Sequence, residues 1–430
     1  MPYRPFHPCG IGTMAQEGQY DVGLVERPPM TASAAPWPDE LLDVAALRAG
    51  GWRPTAFRDF VLKVHQRCNL ACDYCYVYTM ADQSWRERPV AMPAAVARAA
   101  IARIAEHAAR YGVSDVHVIL HGGEPLLAGA ERLTQLASAV REALPPGTRA
   151  HIGVQTNGVL INEETLRLLR EYDIRVGVSF DGGRTDTDRH RRYASGRSSY
   201  PALARALALL CQPEFRPVFA GLLGTVDPDT DPVACYEEML QYEPPTVDFL
   251  LPHANWSDPP KQSGYGQWLV SVFDRWYGAP KQETHVRFFE EIISLVLGGA
   301  SRTEQVGLSP TAVVVVESDG AIEQADSLKS AYSGATATGL NVLTDPFDTA
   351  LAHPGVVARQ IGLAALSDRC LACPVHAICG AGHYAHRYRA GHGFRNPSVY
   401  CADMSQLIDH VRERVGTDLT ALTQTSRGNA

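Results

Sequence analysis

Three cysteines stand within eight residues, in the run Cys68-Asn69-Leu70-Ala71-Cys72-Asp73-Tyr74-Cys75. Thiolates are soft ligands that suit zinc or iron–sulfur clusters. A cubane cluster has four irons and is usually held by four cysteines. A C-x3-C-x2-C run therefore holds three irons and leaves the fourth without a protein ligand. Such an iron can chelate a small molecule through an amine and a carboxylate. Zinc is the competing reading, but zinc usually takes four ligands, often as paired C-x2-C units. A second group, Cys370, Cys373, Cys379 and Cys401, lies toward the C-terminus. C-x2-C-x5-C with one later cysteine supplies four thiolates, enough to close a cluster, with zinc again the alternative. Cys9, Cys211 and Cys235 stand alone, and the latter two, in helical patterns, read as small buried hydrophobes.

The elements that must position these groups alternate along the chain. Strands are expected at 59–65, 115–120, 151–155, 174–180, 217–226 and 247–251, with helices at about 93–111, 130–143, 162–172, 200–211 and 231–241. Six βα units in series predict an α/β fold built on a parallel sheet, with its chemistry at the carboxyl ends of the strands. Aromatic residues at helical spacing over 265–298 predict one or two further helices that close the core. Residues 1–55, rich in Pro, Gly and small residues, read as an irregular arm with one short helix near Pro38–Arg48.

Composition sets the outer bounds. The 430 residues are 45% hydrophobic and 20% charged, as in ordinary globular chains. A formal net charge of -8 argues against non-specific nucleic-acid binding. No apolar run is long enough to span a bilayer, and no signal peptide is evident, so a cytoplasmic protein with no membrane partner is expected.

Polar motifs recur at the predicted strand ends. Gly122-Gly123-Glu124-Pro125 follows the second strand and Gln155-Thr156-Asn157 the third. Ser179-Phe180-Asp181 follows the fourth, and Asp188 to Arg192 comes before Gly196. The fifth strand carries Gly221-Leu222-Leu223-Gly224, and the sixth ends in Pro252-His253-Ala254-Asn255-Trp256, which reads either as a substrate contact or as an ordinary loop. With Asn69 and Tyr74, the cysteine run resembles the signature of the radical S-adenosylmethionine (SAM) superfamily. The resemblance implies a partial (β/α)6 TIM-like barrel over 56–300. It also implies a [4Fe-4S] cluster on Cys68, Cys72 and Cys75, whose open iron binds SAM. In that family Gly122, Gly123, Glu124 and Pro125 would receive the SAM amino group and Arg191 its carboxylate. Gln155, Asn157, Ser179 and Asp181 would meet ribose or methionyl groups, and Leu223 would lie beside adenine.

The second cysteine group resembles the SPASM extension of peptide-modifying radical SAM enzymes, here placed at 301–410 with a C-terminal helix and tail at 411–430. That extension usually holds two auxiliary clusters. In this chain Ala325 and His383 stand where ligands of the first would fall, and the hairpin around Val313–Ile322 has no cysteine. The expectation is one auxiliary [4Fe-4S] cluster, on Cys370, Cys373, Cys379 and Cys401. Asp326 matches the position of a catalytic base in related sulfatase-maturing enzymes; a turn or capping role is the alternative. Together, Tyr78 to Arg86, Ile322 to Ser330 and the tail from Gly382 to Cys401 resemble the FxsB-type peptide maturases, a cyclophane-forming branch. That implies a ribosomally made precursor peptide with an aromatic core residue as substrate. It also implies an external flavodoxin- or ferredoxin-type electron donor. Other radical SAM peptide modifications, such as formylglycine formation or thioether cross-linking, remain alternatives. So does a non-catalytic iron–sulfur or zinc protein that binds peptide or carries electrons.

Overall fold

The computed structural model describes residues 42–428, so most of the expected N-terminal arm, with Cys9, lies outside the described residues. Six parallel strands follow one another in space as in sequence: β1 (Asp59–His65), β2 (Asp115–Gly122), β3 (Arg149–Thr156), β4 (Ile174–Ser179), β5 (Phe219–Thr225) and β6 (Thr246–Leu250). Alternate residues of β2 and β4 are fully buried, and β1 and β6 carry runs of three buried residues. Helices cover the sheet on its outer side. After α1 (Val44–Ala49) come α2 (Ala94–Tyr111), α3 (Ala130–Ala143), α4 (Glu163–Glu171), α5 (Arg184–His190), α6 (Tyr200–Leu210) and α7 (Pro232–Leu240). Local chemistry sets their ends. Asn162 and Asp231 cap α4 and α7 by accepting from the Thr165 and Ala234 amides, and Gly112 ends α2 in the left-handed conformation.

The alternation read from sequence is present in the structure, with ends shifted by one or two residues. The fifth strand is shorter than expected, since Arg216–Val218, with Pro217 inside it, forms a 3-10 turn. Residues 265–298 divide into α8 (Tyr265–Tyr277) and α9 (Arg287–Val296), separated by the two-residue β7 (His285–Val286). The helix α5 and the strands β7 and β10 are additions to the sequence reading.

The hairpin β8 (Val313–Val316) and β9 (Ala321–Glu323) turns at Asp319-Gly320, with φ at +88° for Gly320. β8 pairs in parallel with β1, Leu62 opposite Val316. β10 (Ala337–Asn341) then adds antiparallel to β9. One ten-stranded sheet results, in the order β10-β9-β8-β1-β2-β3-β4-β5-β6-β7. The last helix, Cys401–Gly428, begins earlier than the expected C-terminal helix and packs on α8 and α9. Among the described residues, no helix is long and apolar enough to cross a membrane.

Candidate active site

The cysteine loop leaves β1 at the carboxyl edge of the sheet and is braced from three sides. From β2, the Gly123 amide donates to the His65 carbonyl (2.8 Å) and the Glu124 amide to the Arg67 carbonyl (2.9 Å). A Cβ at position 123 would sit 1.8 Å from Tyr78 Oη and 2.6 Å from the Arg67 backbone, so the glycine permits this close approach. The approach is to the stem of the cysteine loop. From β3, the Asn157 side-chain amide donates to Asn69 Oδ1 (2.8 Å) and contacts Cys68 Sγ (3.6 Å). From the segment after α5, the Arg192 carbonyl accepts from the Ala71 amide.

Glu124 is fully buried. Its carboxylate accepts from the Leu126 and Asn157 amides and the Thr156 hydroxyl, tying the ends of β2 and β3 together. Burial raises its pKa, against these hydrogen bonds. Its neighbour Pro125 opens a 3-10 turn. Gln155 donates to the Ser179 hydroxyl (3.1 Å). Leu223 is half-buried on β5, its carbonyl accepting from the Phe180 amide. On the same strand, a Cβ at Gly221 would meet the Thr246 carbonyl at 2.2 Å, so that glycine serves the packing of β6.

Cys68, Cys72 and Cys75 are partly buried, and Cys75 raises the pKa of Cys68, while Cys75 and Cys68 raise that of Cys72. Burial pushes Cys68 up to about 11 and Cys72 up to about 12, so the thiolate state needs a cation to hold it. Arg191 favours ionisation of Cys72, and Lys63 that of Cys75. Cys370, Cys373, Cys379 and Cys401 are likewise mutual electrostatic neighbours, and burial pushes Cys379 up to about 11.

The thiol sets are rich enough in soft donors for clusters and do not converge on a single-ion site. Four thiolates on one zinc lie ~3.8 Å apart, given a Zn–S bond of about 2.3 Å. Among the described residues, only two groups converge to within 4.8 Å, and neither contains a cysteine. No three of these sulfur atoms thus lie all within 4.8 Å of one another, as a shared zinc would require.

Arg191 is buried beside the first thiols. Its Nη1 donates to Tyr74 Oη (2.7 Å), Tyr74 donates to Asp181 (2.5 Å), and Asp181 accepts from the Thr225 amide (3.0 Å). The Arg191 Nε is buried with no hydrogen-bond partner. A buried guanidinium with an open donor fits an incoming carboxylate. Arg189 instead pairs with Asp227 (2.6 Å) and Asp229 (3.0 Å).

Sequence reasoning missed a buried charge cluster under the hairpin. Lys63, fully buried on β1, meets Asp326 at 2.5 Å and lies 3.4 Å from His121 Nδ1. Lys329 meets Glu317 (2.6 Å) and Glu323 (3.4 Å), and Arg88 meets both acids. Against the cost of burial, Lys63 and Lys329 hold the Asp326 carboxyl well below the usual carboxylate range. Burial and Lys63 hold His121 near 4, hence neutral. The available signal was Lys63 itself, a charge inside an apolar strand. At the end of β6, Asn255 donates to the Ser330 carbonyl, and Trp256, exposed, donates to the Pro397 carbonyl.

Residues 62–231 match the model of the Radical SAM superfamily. Over that stretch the chain is similar to the superfamily. It is 26% identical over 388 residues to a serine-type anaerobic sulfatase-maturating enzyme of Klebsiella aerogenes, covering 82% of this chain and 87% of that one. It is also 26% identical over 274 residues to a cysteine-type anaerobic sulfatase-maturating enzyme of Clostridium perfringens, covering 60% and 71%. Among solved structures, native anSMEcpe with bound AdoMet superposes with a TM-score of 0.73 at 21% identity, covering 84% of this chain and 98% of that one. Streptococcus suis SuiB bound to the precursor peptide SuiA gives 0.54 at 14% identity, covering 82% and 77%. The fold is the radical SAM α/β fold.

Proposed function

We propose that this protein is a radical SAM enzyme that modifies a ribosomally made precursor peptide, joining a Cβ to an aromatic ring as a cyclophane. The observation that carries the radical SAM part is the buried Arg191, with an open Nε, beside the three partly buried thiols at the carboxyl ends of the strands. When bound, the [4Fe-4S] cluster and SAM supply the radical that removes the Cβ hydrogen. Cys68, Cys72 and Cys75 would hold the cluster and Arg191 the SAM carboxylate. The Gly122–Pro125 turn would receive the amino group. Gln155, Asn157, Ser179, Asp181 and Leu223 would line the nucleoside side. Cys370, Cys373, Cys379 and Cys401 would hold one auxiliary cluster, and a flavodoxin- or ferredoxin-type protein would supply electrons.

A peptide substrate is supported by relatives that mature sulfatases and by the likeness to SuiB bound to a precursor peptide. The cyclophane outcome is supported by the likeness to FxsB-type maturases. It is also supported by Ala325 and His383, which stand where that wider family has cluster cysteines. Asp326 is the proposed base for the ring proton. Lys63 holds one carboxylate oxygen, and the other, Oδ1, is buried without a partner. Lys63 makes this carboxylate a weak base, but the proton lost as the ring regains aromaticity is strongly acidic, so a weak base is enough to take it.

Formylglycine formation is the second reading, favoured by the sulfatase-maturase relatives. Co-expression with a short neighbouring reading frame, followed by mass spectrometry, separates the two. Cyclophane formation removes two hydrogens and links an aromatic residue to its partner two positions on. Formylglycine leaves a single modified residue that reacts with hydrazide. Asp326→Ala is expected to stop cross-linking while 5′-deoxyadenosine still forms; undiminished product would remove Asp326 from the chemistry.

A further inference from the structure

One cluster of ligand-type side chains lies outside both cysteine groups. His253 follows β6, His383 caps the short turn Tyr384–Arg387 after Cys379, and His386 lies within that turn. One ring nitrogen from each lies within 4.8 Å of one from each of the others. Ring centroids are 5.5 Å apart for His253 and His383, 6.0 Å for His253 and His386, and 5.0 Å for His383 and His386, all tilted. Nδ1 of His253 and Nε2 of His386 are buried without hydrogen-bond partners. Two such atoms in one cluster call for a shared partner, because a buried polar atom left unpaired is costly.

The second coordination layer is present at one ring. His386 is hydrogen-bonded to the Pro252 backbone, the kind of contact that turns the other ring nitrogen toward a metal. The His383 Nδ1 only accepts a long contact from the Ala385 amide, 3.3 Å, and has no such second-layer acceptor among the described residues; ligation through its Nε2 would require that contact to give way. Burial, aided by His383, holds His253 near 3; burial also holds His383 near 4 and His386 well below the usual imidazole value. The rings are therefore neutral at neutral pH, the form that ligates metal.

Charges surround the cluster on both sides. Asp326 acts on His253 and Glu304 on His383. Arg359 and Arg387 oppose a cation, but Arg359 is engaged by Glu304 and Thr311, and Arg387 by the Gly380 and Gly382 carbonyls. The other convergent group, Glu317, Glu323 and Asp326, is already met by Lys63, Lys329 and Arg88 and needs no ion.

We propose that His253, His383 and His386 bind one divalent transition-metal ion and leave its fourth position open. Three imidazoles with an open position suit Zn2+ or Fe2+. Tyr76, edge-on to His253 at 4.9 Å, places this site next to the first cysteine loop.

The test uses full-length protein with its iron–sulfur clusters loaded and loose iron removed. Elemental analysis first counts any divalent metal acquired during expression, and cobalt(II) is then titrated. The two together should reach one equivalent per chain beyond cluster iron. The cobalt should show imidazole nitrogen couplings in pulsed EPR and no thiolate charge-transfer band. His253→Gln and His386→Gln should weaken binding by at least about tenfold while cluster iron and sulfide stay constant. If a variant loses its clusters, the couplings in the unaltered protein decide. No metal beyond the clusters, binding through thiolates, or unchanged affinity in both variants would overturn the site.

Discussion

At the scale of single residues, Lys63 shows how a side chain can set the chemistry of a site without entering a recognisable motif. Its ammonium is fully buried and faces Asp326 at 2.5 Å, with Glu317 and Glu323 behind. Breaking a buried pair by removing one partner typically costs about 3–5 kcal/mol, because the other charge is left uncompensated. Lys63→Met is therefore expected to lower the unfolding free energy, read from denaturant titration, by that order. Lys63→Met with Asp326→Asn should recover part of the loss in a double-mutant cycle. Additive losses would show that the two are not coupled. The folded Asp326 carboxyl lies below its unfolded value, so its contribution is full above the ordinary carboxylate range and is lost as pH falls through the folded value. That of Lys63, raised above its unfolded value, is full below the ordinary ammonium range and is lost as pH rises through the folded value. The pair is thus stabilising across neutral pH.

Elements meet most closely where the β2 turn touches the cysteine loop. Gly123→Ala would place a methyl group 1.8 Å from Tyr78 Oη and against the Arg67 backbone. The loop must shift, and with it the spacing of Cys68, Cys72 and Cys75. The expected result is loss of iron from the first group while Cys370, Cys373, Cys379 and Cys401 retain theirs, read from iron and sulfide content and from EPR of the reduced protein. Unchanged iron would mean the loop tolerates the shift. Much at this scale was legible in sequence. Apolar runs such as Val116 to Leu120 marked strands, and the motifs at their ends marked the site, because strand period and glycine requirements are local. What was not legible depends on distant partners. β7 and β10 are short and polar or glycine-bearing, and they exist because β6 and β9 offer them an edge. The three histidines come from segments more than a hundred residues apart, and only the fold brings them together.

For the whole molecule, the hairpin is the decisive join. The resemblance assigns β8 to an extension separate from the barrel, yet β8 pairs with β1, and one hydrophobic core runs from Phe57 through Val314 and Ile322 to Val415. β1 is thereby an inner strand, flanked by β2 on one side and β8 on the other. Lys63, Asp326 and Glu317 straddle the same join, so opening it would expose buried charges as well as apolar surface. Barrel and hairpin should therefore unfold together. Amide hydrogen exchange followed by mass spectrometry checks this at peptide resolution. Amides in Val313–Val316 should open with the same free energy as those in Phe60–Leu62, both at the global value, and limited proteolysis should release no folded fragment beginning near residue 301. Faster exchange in β8 than in β1 would mean that the hairpin opens on its own and that the two parts are energetically separate.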